Sequence, residues 1–221
     1  MPAPLKLDLV SDVACPWCAV GLSSLLQALD RLQGQVAVEL HLQPFELNPD
    51  MGPEGEDLIE HLQRKYGASE AQLAATRAQI SARGAEVGFA FRPEGRGRVW
   101  NTHDAHRLLH WAGLMPDAGA QLRLKMALLR AYHGRAECMT DEAVLLACVA
   151  EAGLSQDEAR EVLASQRYHQ AVQDAERFYQ QAGIRSVPAL VINDRHLISG
   201  GQPTEVFEQA LRELAASDAL A

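Results

Sequence analysis

The sequence predicts an α/β domain: a small mixed sheet whose halves lie at the two ends of the chain, split by a large all-helical insertion. Three observations predict it. Apolar–polar alternation at residues 5–10 and 36–42 brackets a helical pattern; helical patterns alone fill the middle; and strand character returns at 187–199 before a last helix. Residues 1–52 and 184–221 are assigned to the sheet domain and 53–183 to the insertion. At 221 residues the chain is long enough for a substantial core, as one large domain or a small one carrying an insertion.

The first strand is Leu5-Lys6-Leu7-Asp8-Leu9-Val10, whose period implies one buried face. From Trp17 to Leu32 the residues Val20, Leu22, Leu25, Leu26, Leu29 and Leu32 recur at helical spacing, and Gly34 fits the position just past a helix end. Val36 to Leu42 alternates again. A strand–helix–strand order of this length implies two parallel strands. The stretch 45–55 is dense in Pro, Gly, Asn and Asp and reads as a loop leaving the sheet. Helical patterns follow at about 56–66, 69–87, 101–113, 116–132, 140–152, 155–164 and 166–182, with no strand among them. In the last, Tyr168, Ala171, Val172, Ala175, Phe178, Tyr179 and Ala182 form a stripe that reads as core packing. Val187–Asn193 and Arg195–Ser199 are spaced as an antiparallel hairpin. Pro203 suits the start of a final helix with Val206, Phe207, Ala210, Leu211 and Leu214 on its apolar face. The insertion is expected to fold over the first helix.

The chemistry-bearing stretch is Cys15-Pro16-Trp17-Cys18, between the first strand and the first helix. Cysteines three apart on a first helical turn share one face, so their sulfurs can close into a disulfide without backbone movement. With Cys15 at the N-cap and Pro16 at the first helical position, proline gives up only an N–H that would be unpaired anyway. The free N–H groups of Trp17 and Cys18 and the helix dipole then favour a Cys15 thiolate, making Cys15 the candidate nucleophile and Cys18 the resolving thiol. A structural zinc site needs four ligands, commonly from a second close pair, which the chain lacks. Two buried structural cysteines are the other alternative. A Cys-x-x-Cys opening the helix of a strand–helix–strand unit is the thioredoxin-type arrangement.

Composition narrows the class. Hydrophobic residues at 48% and charged residues at 22% are ordinary for a globular protein, and a net charge of −9 argues against a general nucleic-acid or anionic-membrane binder. Val13–Leu29, the longest charge-free run, is too short and polar to span a membrane. Asp8 and Asp12 interrupt any secretory apolar core and no basic leader precedes them, so a cytoplasmic location is expected, where four cysteines do not make a disulfide scaffold.

Other candidates carry less. Thr140 reads as an N-cap, which puts Cys138 in the preceding loop and Cys148, flanked by Leu145, Leu146 and Val149, in a helical core. His103, His106 and His110 can share a helix face, which permits a metal but reads better as ordinary polar groups; no metal is assigned. The arginine- and glycine-containing stretch 89–99 reads as a solvated loop in preference to an anion site.

Cys15-Pro16-Trp17-Cys18, the helical insertion and Gly183-Ile184-Arg185-Ser186-Val187-Pro188 together resemble the DsbA-like thioredoxin-fold thiol–disulfide oxidoreductases, especially their cytosolic FrnE-like branch. Ser11-Asp12, Phe45-Glu46-Leu47-Asn48-Pro49 and Asn101–Arg107 match that branch in order. The resemblance implies a thioredoxin-like fold and a cis Val187–Pro188 bond facing the cysteines. It implies that Val187 and Pro188, with Pro16 and Trp17, bind substrate, the Val187 backbone pairing with an extended peptide. Asn101 and His106 become candidate cleft-lining residues. Some relatives carry histidine where Trp17 stands, so a less oxidising pair is expected, activated mainly by the helix it caps. The related 2-hydroxychromene-2-carboxylate isomerases and kappa-class glutathione transferases typically have serine at the position of Cys15.

The resulting expectation is exchange of disulfides with protein or peptide substrates, with glutathione as a further partner, no cofactor, and no nucleic acid or membrane. The alternatives are a glutathione-dependent isomerase or transferase of a small aromatic or polyketide-like compound, and a metal-holding or chaperone-like binding module.

Overall fold

A computed structural model describes residues 4–218. The chain opens with β1 (Leu5–Ser11), α1 (Pro16–Arg31) and β2 (Val38–Pro44). The middle holds β3 (Glu56–Asp57), α2 (Leu58–Tyr66), α3 (Glu70–Glu86), β4 (Arg98–Val99), α4 (His103–Gly113), α5 (Ala120–Leu129), α6 (Glu142–Glu151), α7 (Gln156–Leu163) and α8 (His169–Gln181). It closes with β5 (Ala189–Ile192), β6 (His196–Ser199) and α9 (Thr204–Asp218).

The main sheet has strand order β2-β1-β5-β6; β1 runs parallel to β2 and antiparallel to β5, and β5 and β6 form the expected hairpin. Asn193 and Asp194 turn that hairpin with φ of 51° and 57°, the paired positive values whose twist suits two-residue hairpin loops. On one face of β1, Leu5, Leu7 and Leu9 pack with Leu22 and Leu25 of α1 and Phe207 and Leu211 of α9. Each fully buried leucine contributes roughly 1.5–3 kcal/mol. The alternation of β1 implied one buried face, yet Asp8 and Val10 on the other are buried too, because α8 brings Tyr179 over them. Asp8 accepts from Gln43 at 2.7 Å and pairs with the Lys6 ammonium at 3.0 Å. The outer edge of β2 is closed by Gln121, which takes the Leu42 N–H at 2.9 Å and gives to the Leu42 carbonyl at 3.0 Å.

The middle helices build a second core around Leu108, Leu124, Leu128, Leu145 and Val149, into which Val13 and Ala14, just before the cysteines, are packed. In return Val87, Phe89 and Leu129 of the middle segment enter the sheet's core. The two cores interlock at the cysteine loop.

Four expectations are corrected. β3 and β4 pair antiparallel inside the helical segment, too short at two residues each to show a period. The helix read over 116–132 begins at Ala120 and ends in a π-helical turn, Arg130–Gly134. Asp141, not Thr140, caps α6, its side chain accepting from Ala143 N. Phe178 is 61% exposed, while Glu176 of the same helix is buried. The apolar stripe is thus narrower than the spacing implied.

Candidate active site

Cys15 is the N-cap of α1, with extended φ and ψ of −92° and 114°, and Pro16 opens the helix. The Cys18 N–H reaches the Cys15 carbonyl at 3.0 Å. All four cysteines are free thiols. Cys15 Sγ donates to the Val187 carbonyl at 3.5 Å, and the Val187–Pro188 bond is cis. Pro188 lies against Gly21: a Cβ there would stand 2.9 Å from Pro188 Cγ and 3.2 Å from Gly201 Cα, so only glycine admits this approach without a shift.

The two thiols differ electrostatically. The Cys18 thiol holds Cys15 below the ordinary thiol value, aided by the Cys18 and Trp17 amides and opposed by burial and the Asp12 charge. Helix-terminus activation is therefore present, but the neighbouring thiol lowers the pKa more than the helix amides do. Burial drives Cys18 well above the ordinary value, the Cys15 thiol pushes it further, and Lys125 pulls the other way. Lys125 is 1% exposed on α5, its Nζ 3.4 Å from the Ser11 carbonyl, and burial lowers its pKa.

Asp12 ties this loop to the rest of the molecule. Its Oδ1 accepts from Ala14 N at 3.0 Å and Thr102 Oγ1 at 2.8 Å and lies 3.2 Å from His106 Nε2; its Oδ2 accepts from Leu47 N at 2.8 Å. Burial works against the carboxylate, yet the His106 contact and the two backbone N–H groups hold its pKa at about 2. Beside it Glu46 bonds His103 Nδ1 at 2.7 Å, and His103 Nε2 meets His169 Nδ1 at 2.8 Å. Asn101 Nδ2 donates to the Met51 carbonyl at 3.0 Å. The three stretches Ser11-Asp12, Phe45–Pro49 and Asn101–Arg107 are thus one hydrogen-bonded assembly behind the cysteines.

In front of them lies a cleft of about 990 Å³, lined by Cys15, Pro16, Trp17 and Val187 and walled by α2, α3 and the loop before β4. Arg96 enters it: Nη1 donates to the Ala14 carbonyl at 2.7 Å and lies 3.3 Å from His133 Nδ1. His133, placed by the π-helical turn, bonds the Val13 carbonyl through Nε2 at 2.9 Å, and burial and Arg96 push its pKa well down.

Several candidates are relocated. Asn101 and His106 do not line this cleft: Asn101 Nδ2 is turned to the Met51 carbonyl, and His106 is buried with Nε2 against Asp12. His106 instead borders a small cavity on another face, with Lys125 and His110. Pro188 is buried beneath the cleft and only Val187 of the pair reaches it. The stretch 89–99 is more than a solvated loop, since Arg92 and Arg96 line the cleft. Cys138 is half-buried in its loop, with Thr140 Oγ1 at 3.2 Å, and Cys148 is buried in α6 with its pKa raised to about 12 by burial. Arg96 lies in the stretch 89–99 weighed as an anion site and set aside, while His133 and Lys125 are not among the sequence's candidates. Of the last two only Lys125 leaves a signal, a charge flanked by Leu124 and Met126 and followed by Ala127, Leu128 and Leu129.

Glu176, next to Glu46 and His103, has its pKa raised to about 7, by burial first and then by the Glu46 and Asp12 charges. A carboxyl raised in the folded state contributes stability that is full below its unfolded value of about 4.5 and is lost as pH rises through about 7. Glu176→Gln should therefore flatten the thermal-stability profile between pH 5 and 8. Above pH 7.5 it should be more stable than the parent by on the order of 1–3 kcal/mol.

A family model described as a DSBA-like thioredoxin domain matches residues 6–212. No curated protein matches the sequence. Among solved structures, a probable DsbA oxidoreductase from Streptomyces coelicolor is 33% identical, with a TM-score of 0.86 over 95% of this chain and 89% of that one. The cytosolic disulfide reductase DsbM from Pseudomonas aeruginosa, solved with GSH, is 16% identical with a TM-score of 0.65 over 98% and 100%. A 2-hydroxychromene-2-carboxylate isomerase is 13% identical with a TM-score of 0.69 over 97% and 98%. The last two likenesses are of fold. With the thioredoxin-type sheet, its helical segment and a match over nearly its whole length, the chain belongs to the DSBA-like thioredoxin domain family.

Proposed function

We propose that the protein is a thiol–disulfide oxidoreductase that exchanges disulfides with protein or peptide substrates through Cys15 and Cys18. The observation that carries this reading is the asymmetry of the pair: Cys15, its pKa lowered, lies at the cleft, and Cys18, its pKa raised, is sealed behind it. Cys15 thiolate attacks one sulfur of a substrate disulfide, forming a mixed disulfide and releasing the other sulfur as thiolate. Cys18 then gives up its proton and attacks Cys15 Sγ, closing the Cys15–Cys18 bond and expelling the second substrate thiolate. Two electrons pass to the substrate, and the reverse order oxidises a dithiol. The Val187 carbonyl beside Cys15 Sγ offers an extended peptide a backbone acceptor at the point of attack.

Glutathione is the proposed regenerating thiol and the cytoplasm the proposed location. Among the described residues no helix is long and apolar enough to cross a membrane. An isomerase or transferase using glutathione on a small aromatic compound would have no need of Cys18. The test is a redox titration against glutathione in which free thiols are trapped at each potential. Loss of the Cys15 and Cys18 thiols in one two-electron step supports the reading; persistence of both removes it.

A further inference from the structure

The charge of the cleft is opposite to that of the protein. The chain carries −9, yet among the described residues the lining of the cleft holds Lys65, Arg77, Arg92, Arg96 and Arg185 against a single carboxylate, Glu70. Elsewhere, cations are mostly paired, as Arg31 is with Glu205 and Glu208, Arg123 with Asp117 and Arg130 with Glu151. Among the described residues, Lys65, Arg77, Arg96 and Arg185 have no carboxylate within ion-pair distance, and Arg92 meets Glu94 on its own loop. Arg96 is held by the Ala14 carbonyl, one residue from Cys15, and by the Tyr132 ring beneath it, and among the described residues its Nε is buried without a partner. A guanidinium so fixed, with Nη2 uncommitted among the described residues, suits a carboxylate.

Between these cations the wall is apolar, with Leu62, Leu73, Ile80 and Phe91, and Ile59 stands 41% exposed. At about 990 Å³ the cleft is at the top of the range of small-ligand sites, and it lies beside the Val187 carbonyl. We propose that it binds extended peptide segments that carry acidic side chains around the disulfide cysteine, Arg96 taking the carboxylate nearest Cys15 and Arg77, Arg185 and Lys65 steering the rest. This rests on the dithiol reading above and adds the substrate's charge to it. A cleft of one sign with apolar walls raises the on-rate of an oppositely charged ligand by about 10- to 1000-fold, an effect that salt suppresses.

The experiment uses three peptide disulfides identical except for Glu, Gln or Lys at the positions flanking cysteine, with glutathione disulfide as a fourth substrate. Mixed-disulfide formation should be fastest with Glu and slowest with Lys, by about tenfold or more at low ionic strength, the gap closing as salt is added. Arg96→Gln should narrow that ratio, and so should the doubly exposed-site variant Arg77→Gln/Arg185→Gln, which disturbs no buried contact. Equal rates for the three peptides, with exchange intact, would overturn the proposal and leave the dithiol reading standing. Glutathione disulfide matching the Glu peptide would overturn it in favour of a small thiol. A labelled Glu peptide with serine for cysteine should bind by fluorescence anisotropy, and its Lys counterpart should not. If that holds while no peptide exchanges, the charge assignment survives and the dithiol reading falls.

Discussion

Cys15→Ser should abolish exchange with any disulfide substrate, down to the uncatalysed rate, whereas Cys18→Ser should complete the first half-reaction and stall. The reason is that a serine hydroxyl at the N-cap stays protonated where the Cys15 thiol is shifted toward thiolate, and only the thiolate attacks a disulfide. In Cys18→Ser the nucleophile remains but loses the neighbouring thiol that does most to lower its pKa, so attack should be slower as well as unresolved. Mass spectrometry after acid quench should show a substrate adduct on Cys18→Ser and none on Cys15→Ser. Adduct formation by both variants would place the reactive thiol elsewhere, with half-buried Cys138 the first suspect.

Asp12→Ala should cost the fold about 3–5 kcal/mol, the penalty for removing one side of a buried charged network. Four groups lose their acceptor together: the amides of Ala14 and Leu47, the Thr102 hydroxyl and His106 Nε2. For a chain of this size that corresponds to a fall in Tm of roughly 10 °C. Asp12→Asn, which keeps Oδ1 as an acceptor, should recover part of it. Since the Asp12 charge opposes the Cys15 thiolate, the alanine variant should also show a lower Cys15 pKa despite its weaker fold. The contribution of Asp12 is full above pH about 4 and is lost as pH falls through about 2, so the difference between variant and parent should shrink in acid. A variant as stable as the parent at pH 7 would mean that the loop is held by the packing of Val13 and Ala14 alone.

The sheet is legible in the sequence because the apolar residues of β1, β2 and α1 recur at strand and helix period, and β5 and β6 are two apolar runs parted by a short turn, all of them local properties. β3 and β4 were not, since two residues carry no period, and the burial of Asp8 depends on α8, which arrives about 170 residues later. The same division runs through the site. Cys15, Pro16 and Cys18 were legible from a local capping pattern that the backbone obeys. Arg96, His133 and Lys125 reach the cysteines only through the fold of the middle segment; the stretch 89–99 shows its arginines and glycines but not where they fold, and nothing around His133 in the chain distinguishes it from a surface residue. His106 and Asn101 were placed in the right neighbourhood and on the wrong side of it: they serve the anchor behind the cysteines, not the cleft in front.

The central claim is that Cys15 and Cys18 exchange two electrons as a pair. The glutathione titration tests it most directly: the protein is equilibrated across a range of glutathione ratios, quenched in acid, and its free thiols alkylated and located by mass. A single transition should appear, with n of two, in which the Cys15 and Cys18 thiols disappear together into an intramolecular disulfide while Cys138 and Cys148 stay alkylated. Its midpoint should fall between about −270 and about −120 mV, the span of thioredoxin-fold pairs. Thiols on Cys15 and Cys18 that persist across that span, or a Cys15 that is lost only as a glutathione adduct with Cys18 still free, would contradict it.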